Sequence, residues 1–112
     1  LHSPFYLLRE YPQGCVFARH LKDQVGKRIR ILGYLVAIKN TGTSQGDRMH
    51  FGTFLDEEGE FIDTVHFPPA AKKYPFTGKG IYLLQGKVFE EFDAICIEVD
   101  YMLRLKYRTM DV

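Results

Sequence analysis

Hydrophobic and polar residues alternate in several short segments of the chain, which is the spacing of β-strands rather than of helices. The first segment, residues 27–38, begins with alternating arginine and isoleucine and has Gly33 in its interior. An internal glycine of this kind favours a bend or bulge, as at the corner of a small barrel. Residues 81–89 and 95–100 alternate in the same way on either side of a polar tip, residues 90–93, and predict a hairpin.

Another hairpin is indicated by a turn motif between two apolar segments. If Glu57-Glu58-Gly59 forms the loop, Gly59 takes the left-handed conformation that closes a type I turn with a bulge. The resulting offset makes one face entirely apolar, and we interpret that face as the core side. Its pairs are Leu55 with Phe61, Phe51 with Val65, and Met49 with Phe67. The pairs on the other face, which is mixed and partly aromatic, are His50 with His66, Gly52 with Thr64, and Phe54 with Ile62.

Two short helices are predicted outside these strands. Phe17, Leu21 and Val25 recur every four residues, which predicts a helix over residues 15–25. A second helix is predicted over residues 68–74, because proline is tolerated in the first turn of a helix.

The order of these elements predicts the architecture. A strand is followed by a long loop rich in Gly, Ser and Thr, then by a hairpin, a short helix and a second hairpin. Five strands with a helix between the third and the fourth are the layout of the OB-fold, a Greek-key barrel. The predicted fold class is therefore all-β, a five-stranded OB-fold barrel with one or two short helices. We expect residues 1–26 to be a lead-in segment and residues 27–112 to be the OB-fold domain.

Length and composition limit the class of protein. With 112 residues, 46% of them hydrophobic, the chain has room for one domain with one core. It has no apolar segment long enough to span a bilayer and no secretory signal at its start, so we expect no membrane partner. Cys15 and Cys96 suit neither a disulfide framework nor a zinc site, which favours the reducing cytoplasm. A start at Leu1 favours a domain of a longer protein.

Charge is segregated along the sequence although the net charge is only +1. Up to Arg48 the chain has eight basic and three acidic residues, whereas the segment from Asp56 to Asp63 has five acids and no base. One face of the molecule could therefore be positive, as nucleic-acid binding requires.

Several short motifs follow one another in "RIRILGYLVAIKNTGTSQGDRMHFGTFLDEEGEFIDTVHFP" and, further on, in "GIYLLQGKV". In their sequence and order they resemble the OB-fold domain of bacterial DNA polymerase III alpha subunits, and the similarity covers residues 27–99. The matching positions are Gly33, Gly46, Met49, Phe51, Asp56, Gly59, Phe67, Pro68, Gly86, Lys87 and Val88. The chain departs from the family at Gln45, where a basic residue is common, and in the pair His50 and His66, which suits only some branches.

The resemblance implies a function and partners. It implies a non-catalytic module that binds single-stranded DNA and helps to hold the template strand during replication. The partners would be that DNA, the other domains of the parent polymerase and replisome proteins. The parent chain would be a DNA-directed DNA polymerase, whereas this domain alone would not be an enzyme.

Candidate binding residues are those that could meet phosphates or stack on bases. Lys39 and Arg48 bracket the long loop, and Arg30 and Lys87 fall at outward positions of strands. The candidate stacking surfaces are Tyr34, Phe54, Phe89 and Phe92. His50 and His66, which face each other across the hairpin, complete the candidate set.

No catalytic residue, metal or cofactor is expected. The acids from Asp56 to Asp63 could suggest a two-metal site, but acids at a hairpin tip more commonly keep the turn soluble. His50 and His66 have no third ligand placed beside them, and neither cysteine has an activating neighbour in sequence.

Two alternatives stay open. The small net charge favours an OB-fold that docks onto replisome proteins and hardly contacts DNA. A tRNA-binding OB-fold is a further alternative, which the Phe-Pro and Asp-x-x-Gly motifs disfavour. The barrel and the charge segregation favour single-stranded DNA.

Overall fold

A computed structural model describes Phe5, residues 12–42 and residues 48–106. Five strands form a closed barrel in the order β1-β2-β3-β5-β4, with β4 pairing back onto β1. The strands are β1 (Arg28–Gly42), β2 (Arg48–Leu55), β3 (Phe61–His66), β4 (Ile81–Glu91) and β5 (Ala94–Arg104). All neighbours are antiparallel except β3 and β5, which are parallel. This topology confirms the predicted five-stranded OB-fold.

Two short helices accompany the barrel within residues 12–42 and 48–106. Helix α1 (Pro68–Lys73) lies between β3 and β4 and confirms the predicted second helix. The first helix is shorter than predicted, a 3₁₀ helix over Ala18–Asp23. Of the residues that predicted it, Leu21 is buried, whereas Val25 is exposed and lies after the helix has ended. None of the helices in the described ranges is long and apolar enough to cross a bilayer.

The predicted register of the central hairpin is correct. The ladder pairs His50 with His66, Phe51 with Val65 and Leu55 with Phe61, and ends there, so that Met49 and Phe67 lie beyond it. Gly59 has a φ of 83°, and its N–H donates to the Asp56 carbonyl at 3.0 Å, as the turn requires.

The predicted choice of core face is wrong. Phe54 and Ile62, assigned to the other face, are fully buried, whereas Phe51 and Phe61 are exposed. The reason is the pair formed by Thr53 and Asp63, which lies on the same side as Phe51 and Phe61. A carboxylate is costly to place inside a small apolar barrel, so this side faces outward. Val65 is the exception on this side, since it was assigned to the core and is buried.

The core is closely packed around Phe54. A Cβ at Gly33 would lie 2.8 Å from the Cβ of Phe54, and a Cβ at Gly52 would lie 2.8 Å from its ring. These two glycines therefore admit the largest side chain of the hairpin to the barrel interior. The Tyr82 ring packs edge-on against Phe54, with the ring centroids 6.0 Å apart.

The first strand is longer and bends later than predicted. It continues to Gly42 because its second half pairs with β2, and its irregularity lies between Leu35 and Ala37 rather than at Gly33. The β4–β5 connection is shorter than predicted, since only Phe92 and Asp93 separate the two strands.

Residues before β1 pack on the outside of the barrel. Phe5 is buried with Leu32, Ile81 and Leu83 in a second apolar cluster. Asp56 is also buried, and one of its carboxylate oxygens accepts the Ala18 N–H at 2.8 Å. Because its other oxygen accepts the N–H groups of Glu58 and Glu60, at 2.9 and 2.8 Å, Asp56 ties the 3₁₀ helix to the hairpin turn.

Candidate nucleic-acid interface

An exposed aromatic surface lies on the outward side of β2 and β3. Phe51 is 41% exposed, Phe61 is 67% exposed, and Phe67, which follows β3, is 41% exposed. We call this surface, together with Lys39, Thr53 and Asp63, the open face. Three accessible phenyl rings on one strand pair are the type of surface on which unpaired bases stack.

The register explains why these side chains meet. Lys39 of β1 lies opposite Phe51, which lies opposite Val65. In the adjacent row on the same side, Ala37 is followed by Thr53 and Asp63. The exposed Lys39 ammonium is thus beside the aromatic surface, while the exposed Asp63 carboxylate disfavours phosphate in the middle of the face.

The four predicted cations occupy different surroundings. Lys39 is on the open face, and Arg48 begins β2 opposite Gly42, with its side chain outside the described part. Arg30 instead faces the lead-in segment and donates from Nη1 to the Gln13 carbonyl at 3.2 Å. Lys87 lies on β4, on the far side of the barrel from the hairpin. Of the predicted cations whose side chains are described, only Lys39 therefore lies beside the rings, and two cations that the sequence did not indicate, Arg19 and Lys22, line a cavity together with Phe61.

The predicted aromatic set needs one correction. Phe54 has no exposed surface and cannot stack on a base. Tyr34 is half-buried against the second apolar cluster, and Phe89 is half-buried on β4, opposite Cys96. Phe92 is 95% exposed at the tip of the β4–β5 turn. Both Phe92 and Asp93 have positive φ, 53° and 63°, which places them in the left-handed region.

The two histidines are a structural pair at the inner side of the hairpin. His66 is 1% exposed, so it is not accessible to a ligand, which corrects its inclusion among the binding residues. Its Nε2 lies 2.9 Å from the Thr64 hydroxyl, and its ring lies 4.9 Å from that of Phe76. Burial, and next the charge of His50, lowers the pKa of His66 to about 4. The half-buried His50 contacts the Asn40 side chain and the Phe76 ring.

One end of the barrel is acidic. Because β3 and β5 are parallel, the β2–β3 and β4–β5 turns lie at the same end. The exposed acids of these turns are Glu57, Glu58, Glu60, Glu90, Glu91 and Asp93. Of these six acids, only Glu58 forms an ion pair with a described residue, Arg19, at 2.9 Å. Partial burial and the adjacent Glu58 raise the pKa of Glu57. Phosphates are disfavoured at this acidic end, and Phe92 is therefore in a poor position for a phosphate backbone.

The opposite end of the barrel is basic. Helix α1, the start of β4 and the end of β5 lie there. The exposed cations of this basic end are Lys72, Lys73, Lys79, Arg104 and Lys106. None of them forms an ion pair with another described residue.

The described residues offer little for covalent or metal chemistry. Burial raises the pKa of the Cys15 thiol, and burial followed by Asp63 and Glu91 raises that of Cys96, so both thiols are held in the unreactive protonated form. No group of three His, Cys, Asp or Glu side chains comes together in the described ranges.

The exposed rings of Phe51, Phe61 and Phe67 were missed in the sequence because all three were assigned to the core. The signal that distinguishes the faces is Asp63. With the register already fixed by Gly59, Asp63 falls on the side of Phe61, which makes that side the solvent side.

Comparisons with known proteins establish the fold. No protein-family model matches the chain, and no curated protein matches it. Among solved structures it is similar to the OBody AM1L10 bound to hen egg-white lysozyme, with a TM-score of 0.67 and 14% identity, over 87% of this chain and 96% of that one.

Two natural proteins show the same fold. The second OB-fold domain of replication protein A from Methanococcus maripaludis has a TM-score of 0.51 and 18% identity, over 71% of this chain and 85% of that one. A lipoprotein from Klebsiella pneumoniae described as nucleic acid-binding has a TM-score of 0.53 and 17% identity, over 80% of this chain and 78% of that one. The chain is thus an OB-fold protein by structure.

Proposed function

We propose that this chain is a nucleic-acid-binding OB module that holds a single strand on its open face without catalysing a reaction. The observation that carries the proposal is the exposure of Phe51, Phe61 and Phe67 on one strand pair, with Lys39 beside them. Base–aromatic stacking contributes about 1–3 kcal/mol per base and tolerates any sequence, since every base has a flat face. The nucleic acid-binding description of one fold neighbour supports this class of ligand.

The finer proposal is that the module belongs to a bacterial DNA polymerase III alpha subunit and helps to hold its template strand. It rests on the motifs that resemble that family. Two of them have clear physical roles in this chain: Asp56 and Gly59 form the hairpin turn, and Phe51 of the Met-x-Phe motif is on the open face. Other domains of the parent chain and replisome proteins would then be its neighbours.

A second candidate function is protein docking. The acidic end presents Phe92, 95% exposed, among carboxylates that disfavour phosphate. One fold neighbour is bound to a protein, lysozyme. A partner with an apolar pocket and a basic rim would suit this tip.

Fluorescence anisotropy with labelled oligothymidylate at two salt concentrations tests the proposal. We expect dissociation constants of roughly 10⁻⁴ to 10⁻⁶ M near physiological salt, because few cations face the strand. Phe51→Ala should cost about 1–3 kcal/mol of binding free energy without changing the salt dependence. Lys39→Glu should reduce the slope of log affinity against log salt by about 0.7 as well as weaken binding.

Matched controls are available in the chain. Val25→Ala truncates an exposed apolar side chain away from the open face, and Lys27→Glu reverses an exposed charge on the far side of the barrel. Neither should change affinity by more than about twofold. If Phe51→Ala and Phe61→Ala bind as the wild type does while circular dichroism shows an intact barrel, the open face is not the site and docking replaces this proposal.

A further inference from the structure

A cavity lies at the basic end, away from the open face. Its volume is about 520 Å³, and it opens between the end of α1 and the end of β5. Its polar lining comes from Lys73, Tyr74, Thr77, Arg104 and Lys106. We call it the basic cleft. Its volume is within the range of about 300–1,000 Å³ that is typical of ligand sites.

The charges around the basic cleft are unbalanced. No carboxylate of the described residues lines it, and the two ion pairs among those residues, Arg19–Glu58 and Arg28–Asp100, lie elsewhere. Arg104 is fixed on one side, because its Nε donates to the Lys79 carbonyl at 3.2 Å. Cations that converge on a concave surface without acids produce a positive potential that attracts anions.

A flat ring accompanies these cations. The Tyr74 ring lines the basic cleft and is held by an edge contact with Tyr101, with centroids 5.1 Å apart. The Lys73 ammonium lies 5.6 Å from the centre of the Tyr74 ring. A stacking ring beside unpaired cations can receive one base together with its phosphates.

The position of the basic cleft links it to the open face. Phe67 is the last exposed ring of that face and is also the residue that precedes α1. Helix α1 is six residues long, and its last turn carries Lys72 and Lys73. A strand leaving Phe67 along α1 would therefore reach the basic cleft within a few nucleotides.

We propose that the basic cleft is a second contact site for single-stranded nucleic acid, which takes phosphodiester groups on Lys73, Arg104 and Lys106 and stacks a base on Tyr74. The proposal rests on the proposed function, since it extends the path of the same strand. It places the phosphates of a longer strand at the basic end and leaves the acidic end without nucleic acid.

The test compares two oligothymidylates of different length. The short one has about 4 nucleotides, the smallest length that one OB-fold binds, and the long one has about 20, more than one OB-fold covers. Lys73→Glu with Lys106→Glu should weaken binding of the long strand by about tenfold or more and reduce its salt slope by about 1.4, from two lost contacts. The short strand, held by the open face, should bind as before. Lys27→Glu with Lys87→Glu makes the same change in net charge on the far side of the barrel, and should leave both strands within about twofold.

Amide NMR titration separates the possible failures. Shifts at Tyr74 and Thr77 together with Phe51 and Phe61 support both sites. Shifts on the open face alone, with the cleft variant equal to its control, overturn this inference and leave the proposed function intact. Shifts in the cleft alone support this inference and show that the open face does not bind the strand. If no oligonucleotide binds, or if only a polyglutamate peptide binds in the cleft, the inference is overturned as well.

Discussion

At the scale of single residues, the barrel buries one carboxylate and one imidazole in different ways. The Asp56 carboxylate accepts hydrogen bonds from three backbone N–H groups. Such bonds from backbone donors replace the hydrogen bonds to water that the carboxylate loses on burial. No acidic side chain forms an ion pair with His66 among the described residues, so nothing there offsets a positive charge on its ring. Its ring lies between the Thr64 hydroxyl and Phe76 and faces the second imidazole, His50, across the ladder.

We expect the free energy of unfolding to fall as the pH is lowered from about 6.5 to about 4. His66 has a pKa of about 4 in the folded barrel, whereas the unfolded chain returns it to the ordinary value near 6.5. The unfolded state therefore binds the proton more readily within this window. The stabilisation is complete above pH 6.5 and is lost by pH 4, at most about 1.4 kcal/mol per pH unit or roughly 3 kcal/mol in all. Urea denaturation at half-unit steps of pH measures it.

His66→Gln isolates this effect from the titration of carboxyl groups. The variant keeps a polar group near Thr64 but has no imidazole, so its stability should change less steeply across the window than that of the wild type. His50→Gln, which removes the smaller cause of the lowered His66 pKa, should reduce the slope by less than His66→Gln does. A His66→Gln variant with an unchanged pH slope would show that burial of His66 is not the cause.

At the scale of elements, the β4–β5 turn combines short length with unusual residues. Two central residues with positive φ are the mark of a type I′ turn, which strongly favours Asn-Gly. Here the positions hold Phe92 and Asp93, and a bulky side chain in this conformation costs free energy.

Phe92→Asn with Asp93→Gly should therefore raise the free energy of unfolding by about 1–2 kcal/mol. Chemical denaturation of the double variant and of Asp93→Gly alone measures the gain and assigns its share to each position. Unchanged stability in the double variant would mean that the turn is not strained. A gain in stability with a loss of partner binding would mark Phe92 as a residue kept for function.

The elements also show which part of the fold is readable from sequence. The hairpin register is readable because Gly59 fixes the loop and the loop fixes every pair after it. The core face is ambiguous from apolar residues, since both faces carry phenylalanine, and only Asp63 distinguishes them. The sequence predicts a four-residue β4–β5 connection because Phe-Asp lacks the signature of a tight turn.

Less of the candidate site than of the fold can be predicted from the sequence. Lys39 can be placed at the candidate site from the sequence because it borders the long loop. The position of Lys87 depends on β4 closing back onto β1, and the burial of His66 depends on Phe76, ten residues further along the chain. Neither long-range contact leaves a local pattern in the sequence.

At the scale of the whole molecule, we expect no catalysis by the isolated chain. In the described ranges no three metal-ligating side chains converge, and both thiols have raised pKa values. Purified protein should show no nuclease, polymerase or nucleotide-hydrolysing activity above a buffer blank with Mg²⁺ or Mn²⁺. Metal-dependent turnover that co-purifies with the barrel and disappears in Asp63→Asn would contradict this.

The opposition of an acidic and a basic end gives the barrel an electric dipole along its axis. With a net charge of +1, the molecule attracts a distant polyanion only weakly. Within a Debye length, about 8–10 Å at ordinary salt, a charged molecule interacts with each end separately. The resulting torque orients the barrel before contact. If the proposed function holds, the first encounter with a nucleic acid is therefore oriented, with the basic end leading, and the phenyl rings are reached only afterwards, as the strand settles across the sheet.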